Sequence, residues 1–302
     1  MPKSVRFPSN GLQLAGDLYY PDNSDEGALP AIVVSHPFGG VKEQTAGLYA
    51  QSLAEKGFAA LAFDASYQGD SEGEPRFLEN PFARVEDIRS AVSFLTTVPQ
   101  VDAERIGALG ICASGGYVPN AAATDVRIKA VATVSAADMG SLYRDGLGGA
   151  QSIEQLHDAL AAAAVDRTAQ ARGASPALAQ VVPEPGEVTG NTPSLFAEGS
   201  DYYRTPRAQH PNSPNRYVAS SIISIASYSS YEHVDLISPR PLLMIAGTEA
   251  DTLYFSEQAI ANAQEPKELY LIDGATHIDL YDKPRYVVPA GEKLAEFFAK
   301  YL

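Results

Sequence analysis

The sequence predicts an open, mainly parallel α/β sheet with helices on both faces and one long, largely helical insertion. Three observations carry this: short continuous apolar runs that suit strands covered on both faces, helical periodicity between them, and a stretch, 138–235, in which the alternation stops.

Residues 4–7, the turn Ser9-Asn10-Gly11 and residues 13–20 read as an antiparallel opening hairpin. The buried run 31–34 follows Pro30, then a helix over about 45–56 that stops at Gly57, then a second buried run over 58–63. Phe82, Val85, Ile88, Val92 and Leu95 recur at three- and four-residue spacing and predict a helix before Pro99. Strand 105–111, helix 113–124 and strand 128–134 continue the rhythm. From 138 to 235 only the Ala-rich segment 151–165 reads as helical, the rest being broken by prolines. Strand 241–246, helix 255–263, strand 269–272 and a closing helix from about Pro289 complete the chain. The expected organisation is a core from 1–137 and 236–302, with a cap from 138–235 over one edge of the sheet.

Composition narrows the function. The chain has 302 residues, 45% of them hydrophobic, and 22 Lys+Arg against 37 Asp+Glu give a net charge of −15. Nucleic acids and anionic membranes are gripped by clustered positive charge, so neither is an expected partner. The lone cysteine, Cys112, can form neither an intrachain disulfide nor a Cys-rich zinc site. No phosphate-binding loop, dinucleotide fingerprint, HExxH helix or EF-hand is present, so no metal or cofactor is expected. With no apolar leader and no run near the roughly 18 apolar residues of a membrane span, a cytoplasmic location is expected.

The strongest chemical signal is Gly110-Ile111-Cys112-Ala113-Ser114-Gly115-Gly116, between a buried strand and a helix. A strand-to-helix turn this tight strains the nucleophile's backbone and demands small residues two positions to either side, which Gly110 and Ser114 supply around Cys112. Ser114 is the runner-up nucleophile in a shifted frame, but the buried run ends directly before Cys112. A helix N-terminus and a nearby histidine are expected to lower the thiol pKa. A base and an orienting acid are supplied by His277 and Asp251, each just past the carboxyl end of a strand, with Glu249 and Asp273 as alternative acids. The turn His36-Pro37-Phe38-Gly39-Gly40 suits an oxyanion hole, with the N–H groups of Phe38 and Ala113 as donors.

These motifs, with the loop Asp64-Ala65-Ser66-Tyr67-Gln68-Gly69 and the segment Gly274-Ala275-Thr276-His277-Ile278-Asp279-Leu280-Tyr281, resemble the α/β hydrolases, in particular the cysteine-nucleophile group that includes dienelactone hydrolase. They are also similar to uncharacterised bacterial hydrolases and to fungal polyketide transferases and thiohydrolases. The resemblance implies Cys112, Asp251 and His277 as a triad. It implies a hydrolase that cleaves an ester, lactone or thioester through an acyl-enzyme, acting on a small or carrier-bound acyl substrate. Transfer of the acyl group to an alcohol is the alternative within enzymes, and a non-catalytic ligand-binding protein the alternative outside them. Further candidate substrate contacts are His36, Tyr67, Ser114, Tyr202, Tyr203, Arg216, Tyr228 and Tyr254. The apolar final residues Phe297, Phe298, Tyr301 and Leu302 suit either internal packing or a homodimer face.

Overall fold

A computed structural model describes residues 1–22 and 28–302. The strands are β1 (Lys3–Ser9), β2 (Leu12–Tyr19), β3 (Leu29–Ser35), β4 (Ala59–Phe63), β5 (Val101–Ile111), β6 (Ile128–Val134), β7 (Leu178–Ala179), β8 (Tyr217–Val218), β9 (Leu242–Gly247) and β10 (Lys267–Ile272). The helices are α1 (Gly47–Glu55), α2 (Pro81–Leu95), α3 (Ser114–Thr124), α4 (Met139–Asp145), α5 (Ile153–Ala171), α6 (Ser194–Arg204), α7 (Ile222–Ala226), α8 (Leu253–Asn262), α9 (Asp279–Asp282) and α10 (Pro284–Tyr301).

Eight strands form one sheet in the order β1-β2-β4-β3-β5-β6-β9-β10. β1 pairs antiparallel with β2 and β2 with β4, and all other neighbours are parallel. Alternate residues of the apolar strands serve the two faces: Ala31 and Val33 enter one core, Ile32 and Val34 the other. That two-sided burial is why these strands read as unbroken apolar runs. β4 lies on one side of β3 and β5 on the other, so the connections leaving β3 and β5 diverge at adjacent carboxyl ends, where Ser35 pairs with Gly110. Ligands in open α/β sheets bind at such a switch point.

Residues 138–235 leave the sheet after β6 and return at β9, carrying α4 to α7 and the antiparallel pair β7–β8. The helix α6 was not anticipated among the prolines. Pro193 and Pro206 bracket it rather than break it, Pro193 at the N-cap position and Pro206 beyond the last turn. The closing helix begins at Pro284, not Pro289; Pro284 takes the first helical position, where its missing N–H costs nothing, and Pro289 is carried inside. The C-terminal aromatics pack inward, with Phe298 fully buried and its ring edge-on to Phe58 at 6.2 Å between centroids. Among the described residues, no helix is long and apolar enough to cross a membrane.

Candidate active site

Cys112 follows the last residue of β5 and has φ +57°, a left-handed conformation that a non-glycine residue adopts only under constraint. The turn closes so tightly that a Cβ at Gly110 would strike the Ser114 carbonyl, and one at Gly115 would lie 2.6 Å from Ala136 Cα. The strained elbow therefore falls on Cys112. Ser114 is fully buried as the first residue of α3, where its hydroxyl donates to the His36 carbonyl at 2.6 Å and receives Arg84 Nη2 at 2.8 Å. Its hydroxyl is fully engaged in this buried network, which also includes Ser35 Oγ at 2.9 Å.

The same network anchors the neighbouring loop. Arg84 Nη2 also donates to the His36 carbonyl at 2.5 Å, while Arg84 Nη1 pairs with Glu79, which accepts from Tyr117 Oη at 2.9 Å. His36 itself is fully buried, with Nδ1 2.7 Å from the Pro37 carbonyl and Nε2 accepting from Ala65 N at 3.1 Å. Both ring nitrogens are thus occupied, and burial, then the Arg84 charge, holds the ring well below the usual histidine pKa. His36 thus ties the loop to its neighbours and is not among the residues that line the cavity. From that loop the N–H of Phe38, together with that of Ala113, is near enough to the Cys112 thiol to lower its pKa. They are the same two N–H groups that the sequence predicts as oxyanion-hole donors. Burial nevertheless pushes the thiol pKa up, against the lowering contributions of Tyr281 and those N–H groups. The expected lowering by a helix terminus and a histidine is outweighed because the sulfur is desolvated and no charged imidazolium faces it.

His277 is buried, and desolvation pushes its pKa down to about 3. Its Nδ1 lies 2.6 Å from Thr252 Oγ1, and its Nε2 lies 3.2 Å from Tyr281 Oη. Among the described residues it makes no hydrogen bond to a carboxylate. Asp251, expected to orient it, turns the other way: Oδ2 accepts from Leu195 N at 2.9 Å, in the first turn of α6, and Oδ1 is buried with no partner among the described residues. Adjacent residues of this loop point apart, so the hydroxyl of Thr252 reaches the ring where the carboxylate of Asp251 was expected. Glu249 and Asp273 are exposed and reach nothing in the site. Thr252 and Tyr281 were both missed; Tyr281, one helical turn after His277, carried the only available signal.

Cys112 opens into a cavity of about 320 Å³ between core and cap. Its walls are apolar: Phe38, Met139, Leu142, Val181, Phe196 and Ile278 among them, with Tyr203 and Tyr281 beside the sulfur. Of the other aromatic candidates, Tyr202 packs edge-on against Tyr281 behind the cavity, and Tyr228 is buried against Tyr117. Tyr254 receives the Gly148 N–H outside the cavity lining, and Tyr67 packs over Gly73 in the loop after β4. Arg216 is exposed in a separate surface hollow with Arg204 and His210. Glu43, Asp64 and Asp70 cluster closely enough to suggest a cation site, but Lys42 Nζ already bridges them at 2.5, 3.0 and 2.8 Å.

The chain resembles known proteins along its whole length. The crystal structure of the hypothetical protein PA2218 from Pseudomonas aeruginosa matches with a TM-score of 0.94 at 41% identity, covering 100% of this chain and 94% of that one. The uncharacterized protein YcjY of Escherichia coli is 42% identical over 308 residues, covering 100% of both chains. A thiohydrolase of Eupenicillium brefeldianum is 28% identical over 306 residues, covering 99% of this chain and 94% of that protein. The family model of the X-Pro dipeptidyl-peptidases (S15 family) matches residues 10–211. With this sheet, elbow and cap, the chain belongs to the S15 family and is an α/β-hydrolase enzyme.

Proposed function

We propose that the protein hydrolyses an uncharged acyl ester or thioester through a covalent acyl group on Cys112. The observation that carries this reading is the convergence on one sulfur of a strained elbow, two backbone N–H groups and the mouth of an apolar cavity. Attack by Sγ forms the S–C bond, and the carbonyl oxygen takes up negative charge against the N–H groups of Phe38 and Ala113. The thiol proton, taken up on the His277 side, is given to the departing oxygen or sulfur as its bond to the acyl carbon breaks. Water then adds to that carbon while His277 takes its proton, the S–C bond breaks, and the proton returns to the sulfur as the acid is released.

Two features favour esters and thioesters over peptides. An amine leaving group must be protonated as it departs, which asks for a stable imidazolium, and His277 is buried with no carboxylate bonded to it among the described residues. The cavity, about 320 Å³ and walled by apolar side chains, offers no charged group to a peptide's ends. It sits at the low end of the roughly 300–1,000 Å³ usual for ligand sites, which suits a short or medium acyl chain. The likeness to a thiohydrolase supports a thioester among the substrates.

Brief mixing with a series of acyl thioesters and p-nitrophenyl esters, read by intact-protein mass spectrometry and peptide mapping, tests the proposal. The expected result is an acyl mass on Cys112 that is absent from Cys112→Ala. Turnover that persists in Cys112→Ala would overturn it.

A further inference from the structure

Tyr281 fills the space between nucleophile and base. Its hydroxyl lies 3.2 Å from His277 Nε2, so it occupies the ring nitrogen that would face the nucleophile, and its side chain lines the same cavity wall as Cys112, near enough that each group shifts the other's pKa. The side chain is 1% exposed, and its ring is held edge-on by Tyr202 at 5.1 Å and by Tyr203 at 6.4 Å between centroids. On the far side of the imidazole, Thr252 Oγ1 at 2.6 Å can accept from Nδ1–H, which leaves Nε2 free to accept a proton. Phenol, imidazole and hydroxyl thus form one line that begins beside the thiol in the cavity wall.

We infer that Tyr281 is a catalytic residue that relays the proton from Cys112 to His277. As Sγ bonds to the acyl carbon, the thiol proton passes to Tyr281 Oη while the phenolic proton passes to His277 Nε2. The carbonyl electron pair moves onto oxygen, so the tyrosine ends neutral and only the oxyanion and the imidazolium carry charge. When the tetrahedral species collapses, the bond to the leaving alcohol or thiol breaks, and the proton held on Nε2 returns to the leaving atom along the same line. Burial holds the Tyr281 hydroxyl well above its ordinary pKa, so a free phenolate is disfavoured and the two transfers are coupled. The acyl-transfer part of the inference rests on Cys112 being the acylated group, whereas the removal of the thiol proton does not.

The test uses Tyr281→Phe, which keeps the ring and removes the relay, beside His277→Ala and the double variant. Two rates are read in each: carboxamidomethylation of Cys112 by iodoacetamide, which needs no knowledge of the substrate, and the acylation burst with a p-nitrophenyl ester. Both single variants are expected to lose on the order of 10²-fold in both rates, the scale of one general-base contribution. The double variant is expected to be no slower than the slower single, because the two residues serve one transfer. Incorporating 3,5-difluorotyrosine at position 281, which makes the phenol more acidic without disturbing packing, is expected to shift the alkylation pH profile to lower pH. A Tyr281→Phe protein that alkylates and acylates within about threefold of the parent overturns the relay, as do losses that multiply in the double variant or a fluorinated protein with an unmoved profile. If alkylation follows the expected pattern while no ester or thioester ever acylates Cys112, the relay stands and the acyl-enzyme reading fails.

Discussion

Thr252 Oγ1 sits 2.6 Å from His277 Nδ1, so a neutral hydroxyl holds the ring nitrogen that a carboxylate was expected to hold. A hydroxyl can fix the tautomer and the ring plane, but it does not stabilise imidazolium by charge. His277 is therefore neutral at rest, and burial holds the Cys112 thiol in its neutral form as well.

Replacing Thr252 with Val keeps the shape and removes the hydrogen bond. A buried ring nitrogen left without a partner costs about 1–3 kcal/mol, so kcat/KM is expected to fall roughly 10- to 100-fold. Thr252→Ser should recover most of the loss. Steady-state kinetics of the three proteins on an activated ester checks this, and a Val variant as active as the parent would remove Thr252 from the site.

Asp251 tells the complementary story. Its carboxylate accepts from Leu195 N across 56 positions of sequence, in the first turn of α6, and so acts as a cap supplied from the core to a helix of the lid. Asp251→Ala is expected to destabilise the fold by about 1 kcal/mol, the usual worth of a helix cap, while leaving alkylation of Cys112 by iodoacetamide within a few-fold of the parent. Urea unfolding and the alkylation rate, measured together, separate this from a role on His277: a drop in alkylation comparable to that of His277→Ala would restore Asp251 as the orienting acid.

Ser114 and Cys112 can be distinguished in the same way. Ser114→Ala deletes a fully buried hydroxyl that ties Arg84 to the His36 carbonyl. A loss of about 1–3 kcal/mol in stability is expected, with acylation still mapping to Cys112. Cys112→Ser should unfold like the parent but acylate far more slowly, because the two N–H groups and the neutral base are set for sulfur. An acyl mass found on Ser114 in the parent protein would reverse the assignment.

Much of this arrangement is readable from residues alone, and the reasons are steric. Gly110 and the apolar run before Cys112 declare the elbow, because only a residue without a Cβ fits against the Ser114 carbonyl. Alternate burial on two faces explains why the parallel strands appear as solid apolar runs while the half-open β10, with an intermediate and exposed pattern, is fainter. The partner of His277 is hidden because Asp251 and Thr252 are one position apart in a loop. Which of them faces the ring depends on where the cap places α6, and α6 is itself masked by the prolines at its ends. The roles of His36 and Tyr228 were hidden for a related reason: residue type suggests a ligand contact, but burial and fully used polar atoms decide against it.

The buried histidine also sets the response to acid. In the folded protein His277 stays neutral down to about pH 3, whereas in the unfolded chain an ordinary histidine takes up its proton near pH 6.5. Below that value the unfolded state binds more protons, so stability rises with pH, and this contribution is full above the unfolded pKa and lost as pH falls toward 3. The slope from one such group is about 1.4 kcal/mol per pH unit once the unfolded histidine is protonated. His36 acts in the same direction, while Asp64, Asp87 and Glu79, whose carboxyls burial raises, oppose it. His277→Asn leaves all of those groups in place. Urea unfolding of the parent and His277→Asn at pH 6, 5 and 4 should therefore show a parent curve steeper by about 1.4 kcal/mol per unit below pH 6. Parallel curves would mean that the folded protein carries His277 as an imidazolium, with a counter-charge close enough to hold it.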